Sequence, residues 1–327
     1  SLPYLRSIVG LPFLIAKNCI VDLIGEFTSA KLKTESIAKL MLSSELLFDR
    51  GKKLCECGTY IGFNFNENEN LSVTSANFCR QRLCPMCQRR RSLRTYSAVS
   101  KVYELANKTG YQFLHVVLTV PNCPAAALNK TCDFLFKQSS LLFRKSDDVH
   151  TKAACKGNED IKKLRRNIKN SFKGVFRALE ITFNDKLSID HPFAFHPHLH
   201  CLVAVRKSYF TSRDYISHEK LQKVWGTLTG IENVQVFIGR VTDQCASIAE
   251  VAKYAVKPFK GDVTVEVLET LHKALFNRRL VQTFGIFRDW MKAVGITDLE
   301  EVLDENISSL PDIWVEWEGG VYTLNGV

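Results

Sequence analysis

The stretch Phe195-His196-Pro197-His198-Leu199-His200-Cys201-Leu202-Val203-Ala204-Val205 carries the clearest chemical signal in the sequence. On a β-strand alternate side chains share a face, so His198 and His200 project together while Leu199 and Cys201 point the other way. Two imidazoles at i and i+2 can chelate one divalent cation. Such a pair has a bland reading as satisfied polar residues, but here it enters an otherwise apolar strand, and that favours a metal. Upstream, Arg177-Ala178-Leu179-Glu180-Ile181-Thr182-Phe183 sets Glu180 on the face opposite Leu179 and Ile181. Antiparallel pairing of the two strands would bring its carboxylate within reach as a third ligand. Two histidines and a carboxylate leave coordination positions open, the requirement of a catalytic metal. The set alone does not choose among an iron oxygenase, a cupin-like site and a Mg²⁺ or Mn²⁺ phosphodiester site. His196 is an alternative ligand, disfavoured because Pro197 follows it at the strand entrance.

A second group is built from thiols. Cys79-x4-Cys84-Pro85-Met86-Cys87 lies downstream of Cys55-x-Cys57. Zinc takes four tetrahedral ligands, and a Cys-x-x-Cys loop supplies two of them. Cys57, Cys79, Cys84 and Cys87 would close a four-thiolate shell, with Cys55 as a substitute for Cys57 or Cys79. A closed shell has no open position, so the expected role is structural: Zn²⁺ ties down a module with too little apolar content to fold unaided. The chain has 11 cysteines, an odd number with uneven spacing, which argues against a disulfide framework. Cys19, Cys123, Cys132, Cys155, Cys201 and Cys245 are expected to be buried thiols. Arg80, Arg82, Arg89, Arg90, Arg91 and Arg94 surround the knuckle, a dense positive patch.

The third group is Glu250-Val251-Ala252-Lys253-Tyr254-Ala255-Val256-Lys257. On a helix Glu250 and Tyr254 stack at i and i+4, and Lys257 adjoins the tyrosine. A phenol with a reference pKa of about 10 is a poor nucleophile at neutral pH. A nearby ammonium favours the phenolate, and a metal polarising a phosphate favours its attack. Taken alone, the segment reads more simply as an amphipathic helix with a core tyrosine and a routine Glu–Lys pair.

The elements that must position these groups can be read in outline. Residues 1–50 read as helices, with Ile8 to Ile24 a buried helix broken by Pro12, Lys17, Asn18 and Asp22, neither a membrane span nor a signal peptide. The chain opens on Ser1 without an initiator methionine, which leaves room for residues upstream. From Leu54 to about Arg94 the cysteines alternate with short strand-like runs and a polar hairpin tip at Asn66 to Asn70. Ser97 to Asn107 predicts a helix and Phe113 to Val120 a buried strand ended by Pro121-Asn122. The basic run of Lys162, Lys163, Arg165, Arg166, Lys169 and Lys173 is either a solvated helix face or a phosphate-contacting surface. Strands follow at Val175–Phe183, His198–Val205 and Val234–Gly239. Ala246–Lys257 is a helix ended by Pro258, Val267–Leu280 another, and a Trp-rich segment lies near Trp314 and Trp317. The expected division is a helical segment (1–50), a zinc-binding subdomain (51–100), a core (101–262) and a C-terminal extension (263–327).

Composition bounds the function classes. The 327 residues hold 44 Lys and Arg against 34 Asp and Glu, a net charge of +10, with 46% hydrophobic residues. That balance is globular, excludes a mostly disordered chain and permits a polyanionic partner.

The order of motifs is more specific than any one of them. Asn77-Phe78-Cys79-Arg80-Gln81-Arg82-Leu83-Cys84-Pro85-Met86-Cys87, Phe113-Leu114-His115-Val116-Val117-Leu118-Thr119-Val120-Pro121-Asn122, His196-Pro197-His198-Leu199-His200 and Glu250-x3-Tyr254-x2-Lys257 follow one another. Together they resemble the rolling-circle replication initiators of small bacterial plasmids, within the superfamily of endonucleases named for a His-hydrophobic-His motif. The resemblance covers roughly residues 54–290. It implies an α+β fold: a central antiparallel β-sheet flanked by helices, with an inserted zinc-binding module. It implies strand-specific nicking and joining of origin DNA, in which Tyr254 becomes linked to the 5′ phosphate and the free 3′ hydroxyl primes the host polymerase. Carried over by position, Tyr254 is the nucleophile, His198, His200 and Glu180 hold Mg²⁺ or Mn²⁺, Glu250 activates water to end the cycle, and Lys257 steadies the phosphate or phenolate. DNA contacts fall to Arg80, Arg82, Arg89, Arg90, Arg91 and Lys253. The expected partners are single-stranded or origin plasmid DNA, a host helicase and polymerase; the expected setting is the cytoplasm, with no membrane, as a monomer or dimer. One tyrosine stands in the motif rather than a pair, so termination would rest on Glu250 and water or on a second subunit. The alternatives are a related transposase or relaxase, a catalytically inactive zinc-containing origin-binding protein, and a metal-dependent oxygenase.

Overall fold

The computed structural model describes residues 13–65, 71–144, 153, 156–243, 248, 263–296 and 310–325, with side chains from residue 24 onward except 65, 71 and 72. The chain divides into two compact units, residues 1–89 with 305–327, and residues 90–304.

In the first unit, α1 (Phe13–Leu42) and α2 (Phe48–Glu56) precede β1 (Tyr60–Phe65) and β2 (Leu71–Ala76). The sheet is completed from the far end of the chain by β8 (Ile313–Glu318) and β9 (Val321–Asn325), in the antiparallel order β2-β1-β8-β9. β8 and β9 are joined by Gly319 and Gly320, both at positive φ (57° and 89°), which side chains disfavour and a tight hairpin with the twist of its strands requires. Ile61 pairs with Val315, so the Trp-rich segment is a strand of this sheet. Phe27 of α1 meets Phe63 of β1 with ring centroids 6.1 Å apart. The apolar surface that the cysteine-rich stretch lacks is thus supplied by elements distant in sequence.

The second unit starts within α3 (Pro85–Lys108) and is organised on a five-stranded antiparallel sheet of order β6-β3-β5-β4-β7. Its strands are β3 (Tyr111–Thr119), β4 (Gly174–Phe183), β5 (Phe195–Arg206), β6 (Val236–Arg240) and β7 (Val281–Gly285). The helices are α4 (Ala125–Phe143), α5 (Glu159–Ser171), α6 (His218–Thr229), α7 (Val265–Leu275) and α8 (Ile286–Ala293). Local chemistry sets their ends. Asn158, Ser217 and Thr264 accept backbone N–H groups at the starts of α5, α6 and α7, and Gly230 closes α6 in the left-handed region. β5 is central and buried along nearly its whole length, which explains its near-continuous apolar sequence.

Alternation gives the sheet two different faces. On one, Phe113, Phe176, Ala178, Leu202 and Ala204 form a core with Val99, Val102 and Ala106 of α3 and Phe287 and Met291 of α8; Ile248 is buried in the same cluster. Glu180, His198 and His200 continue this face along β4 and β5. The other face carries Arg177, Leu179, Leu199 and Cys201, with Arg177 reaching α4. The α+β class, with antiparallel sheets flanked by helices, is as the sequence implies. The strands of the second unit fall close to expectation, with two differences. β5 begins at Phe195, so His196 and Pro197 lie inside the strand. The helix expected to reach Leu280 stops at Leu275, because Asn277 takes a positive φ of 50°, and the chain then enters the edge strand β7. Among the described residues no helix is long and apolar enough to cross a membrane.

Candidate functional site

Strand register brings the His-strand group together. Glu180 of β4 lies directly opposite His198 of β5, and His200 is two residues farther along the same face. Donor atoms of the three residues all lie within 4.8 Å of one another. All three are buried, Glu180 at 1% exposure, His198 at 6% and His200 at 7%. His198 Nδ1 lies 3.1 Å from the His196 carbonyl oxygen. A donor N–H there leaves Nε2 as a bare lone pair, 3.2 Å from Glu180 Oε2. His200 Nε2 is 2.8 Å from the same oxygen, yet it is buried without an aligned hydrogen bond. Two nitrogens and an oxygen that crowd one buried point suit a shared cation. Such a cation would offset the charge of the buried Glu180 carboxylate. The donor set therefore fits a divalent metal. His196 stacks on His198 (centroids 4.7 Å apart, planes at 25°) and contributes its carbonyl.

His115, from the motif Phe113 to Asn122, also meets this site. It sits on β3, two residues from Val117, the residue opposite His200. Its Nε2 is 3.2 Å from His200 Nδ1, and the two ring planes are nearly parallel, at 14°. His115 thereby occupies the outer nitrogen of a candidate ligand, the position of an orienting partner. The signal was present in the alternation of β3: His115, Val117 and Thr119 are half-buried while Leu114, Val116 and Leu118 are buried.

The cysteines form a second centre, in the first unit. Sulfur–sulfur distances are 3.7 Å for Cys57–Cys87, 3.7 Å for Cys79–Cys87 and 3.5 Å for Cys84–Cys57. Four sulfurs about 2.3 Å from a zinc ion in a tetrahedron stand about 3.8 Å apart, so the cluster has the size of a Zn²⁺ shell. Cys55 is exposed on α2 and Cys57 joins the cluster. Backbone N–H groups of Cys79 and Arg80 donate to Cys57 Sγ and Cys87 Sγ at 3.3 and 3.2 Å. Arg80 reaches that position with a φ of 58°, unusual for a residue with a Cβ. Pro85 stands at the first position of α3, where its missing N–H costs nothing. Burial works to raise the Cys84 thiol, but its hydrogen bonds with Cys57, Cys79 and Cys87 outweigh this and hold it well below the usual thiol range. Hydrogen bonds with Cys79 and Cys84 push Cys57 up, and those with Cys57, Cys79 and Cys84 push Cys87 up.

α1 braces this knuckle. Lys31, fully buried, donates to the carbonyls of Cys55 (2.8 Å) and Cys57 (3.0 Å) at the end of α2. Thr34 Oγ1 accepts from Met86 N at 3.2 Å and lies 3.8 Å from Cys84 Sγ. Tyr322 of β9 donates to the Gly58 carbonyl, and Gly58 has a φ of 68° with no room for a Cβ beside Met86. Of the scattered cysteines, Cys123, Cys132 and Cys201 are buried thiols, as expected.

The basic residues separate by exposure. Arg80 is exposed, Arg82 and Arg89 are half-buried, and Arg89 pairs with Glu26 of α1. Arg90 and Arg91 are buried, so the positive patch around the knuckle is narrower than the sequence implies. In the other basic run, Lys162, Lys163 and Arg166 are exposed on α5, whereas Arg165 is buried and donates to the Leu142 carbonyl at 3.0 Å. Glu250, Lys253, Tyr254 and Lys257, and the helix expected over Ala246–Lys257, lie outside the described residues apart from Ile248.

Comparison with known proteins gives a consistent result. A family model described as replication protein matches residues 70–317. A protein named "Protein rep" in Streptococcus pneumoniae serotype 2 is 29% identical over 279 residues, 82% of this chain and 78% of that protein. Another of the same name in Bacillus amyloliquefaciens is 28% identical over 308 residues, 83% of each chain. A third, in Staphylococcus aureus, is 30% identical over 207 residues, 62% of this chain and 80% of its own. No solved structure matches.

Proposed function

Because the chain belongs to the replication protein family, we propose that it is a plasmid rolling-circle replication initiator, a metal-dependent enzyme that nicks and rejoins one DNA strand at the origin. The observation that carries this reading is the convergence of Glu180, His198 and His200 on one buried point of the sheet. Open coordination positions there suit a substrate oxygen, which a closed shell would not admit. Mg²⁺ or Mn²⁺ held by these three side chains would offset the charge that builds on a non-bridging phosphate oxygen.

The rest of the chemistry belongs to the chain. Tyr254 Oη attacks the scissile phosphorus; the new P–Oη bond forms as the P–O3′ bond breaks. The proton lost by the phenol is balanced by the one the departing 3′ oxygen gains. The product is a 5′-phosphotyrosine and a free 3′ hydroxyl able to prime a host polymerase behind a host helicase. The phosphodiester keeps its bond energy, so the step reverses and the same residues rejoin ends. Lys257 steadies the phosphate or phenolate, and Glu250 activates water for release. The Cys57, Cys79, Cys84 and Cys87 centre holds Zn²⁺ as a structural tie. Arg80, Arg82, Arg89 and Lys253 contact the DNA backbone, and the enzyme works in the cytoplasm on single-stranded or melted origin DNA.

The test is incubation of the protein with a library of single-stranded oligonucleotides and Mn²⁺, followed by denaturing electrophoresis for covalent product. The wild type forms an adduct, Tyr254→Phe forms none while binding DNA normally, and the double change His198→Ala, His200→Ala abolishes Mn²⁺-dependent adduct formation. An adduct that persists in Tyr254→Phe removes that residue from its role. A wild type that binds origin DNA but never forms an adduct is an inactive origin-binding protein.

A further inference from the structure

The reverse face of the same sheet holds a second candidate site. Arg177 pairs in register with Cys201, and so projects from β4 away from Glu180 and the histidines. It forms the floor of a cavity of about 520 Å³ between α4 and the stretch that joins α7 to β7. That volume is typical of sites for small organic ligands.

Arg177 is 2% exposed, and every acceptor it meets is neutral: the Phe136 carbonyl at 3.2 Å, Ser139 Oγ, Ser140 Oγ at 3.3 Å and Gln282 Oε1. Its guanidinium lies between the rings of Phe136 and Phe284, 4.5 and 5.2 Å from their centroids, and its Nε makes no hydrogen bond. Burial pulls its pKa down to about 10, which leaves it charged at neutral pH. Buried charges are ordinarily paired with an opposite charge. Here, among the described residues, no carboxylate reaches Arg177. The rim has the same sign: Lys137, Arg144, Arg278 and Arg279 line the cavity, and the carboxylate in its lining, Asp133, is already held by Arg278 at 2.6 Å. An arginine fixed in place at the base of a basic cavity is preorganised for a planar or tetrahedral oxyanion.

We propose that this cavity binds a phosphate-bearing ligand, with Arg177 as the fixed anchor and Lys137 and Arg279 as exposed rim contacts. A free nucleotide and the backbone of a bound nucleic acid strand share that chemistry.

The test uses the full-length protein in calorimetric titrations with inorganic phosphate, dATP and a short single-stranded oligonucleotide, all without divalent metal. The wild type binds dATP or the oligonucleotide saturably, inorganic phosphate competes, and Lys137→Glu with Arg279→Glu weakens binding at least tenfold. Both rim residues are exposed, so this pair leaves the fold intact even if Arg177→Met does not. His198→Ala with His200→Ala leaves dATP affinity unchanged, which separates this cavity from the metal centre. Sensitivity of dATP to the rim changes identifies a nucleotide site; sensitivity of the oligonucleotide alone identifies a strand contact. If the rim pair weakens neither ligand by as much as threefold, the proposal fails.

Discussion

Replacing His115 by Phe isolates one contact of the proposed catalytic centre. The ring nitrogen 3.2 Å from His200 Nδ1 is lost, while a ring of similar shape remains against Phe237, whose centroid lies 5.6 Å from that of His115. His200 would then be free to rotate and to take the other tautomer, in which the nitrogen facing Glu180 carries a proton and cannot bind a cation. Loss of an orienting partner of this kind costs about 10–100-fold in metal affinity, or about 1.4–2.8 kcal/mol. Mn²⁺ titration followed by electron paramagnetic resonance of the free ion measures this without reference to catalysis. His115→Gln, which retains an acceptor in the same region, should recover part of the affinity. His200→Ala should lose more than His115→Phe. Affinity of His115→Phe within threefold of wild type refutes the orienting role. A loss as large as that of His200→Ala would make His115 a ligand in its own right.

Three further outcomes follow from the described contacts. Cys55→Ser should retain a full equivalent of zinc by atomic absorption, while Cys57→Ser loses it and unfolds the first unit, because the exposed and clustered thiols differ in position alone. Lys31→Met keeps the buried stem but leaves the Cys55 and Cys57 carbonyls without their donor; the expected cost is on the order of 3 kcal/mol in urea unfolding, and a loss below about 1 kcal/mol would show that water replaces the ammonium. Burial raises both Cys132 and Cys201 from 9.0 to about 12. Their unfolded thiols therefore ionise first, so the stability they contribute is complete below about pH 9 and is lost as pH rises toward 12. Chemical denaturation across that range should show the decline, and Cys132→Ala with Cys201→Ala should flatten it.

The candidate centres differ in how far the sequence discloses them. Glu180, His198 and His200 follow from alternation alone once the two strands pair, since a strand fixes which side chains share a face. The four thiols are legible from spacing, but the choice of Cys57 over Cys55 is not: it depends on where α2 ends and on Lys31, a residue far upstream. Arg90 and Arg91 read as a surface patch because sequence records charge and not burial. β7 escapes notice since Gln282 and Thr283 interrupt its apolar pattern, and its place is set by pairing with β4 rather than by local preference. The Trp-rich tail shows the same limit, with strand partners some 250 residues earlier in the chain.

The pairing of β1 with β8 also has a consequence for synthesis. A ribosome releases residues in order, so the segment that builds the five-stranded sheet emerges before Ile313 to Glu318 can dock beside Tyr60 to Phe63. The cysteine knuckle must wait, its apolar neighbours incompletely covered, until β8 and β9 have emerged. A nonsense or frameshift mutation between β7 and β8 would therefore damage the first unit, and its first symptom should be protease sensitivity around the cysteine knuckle.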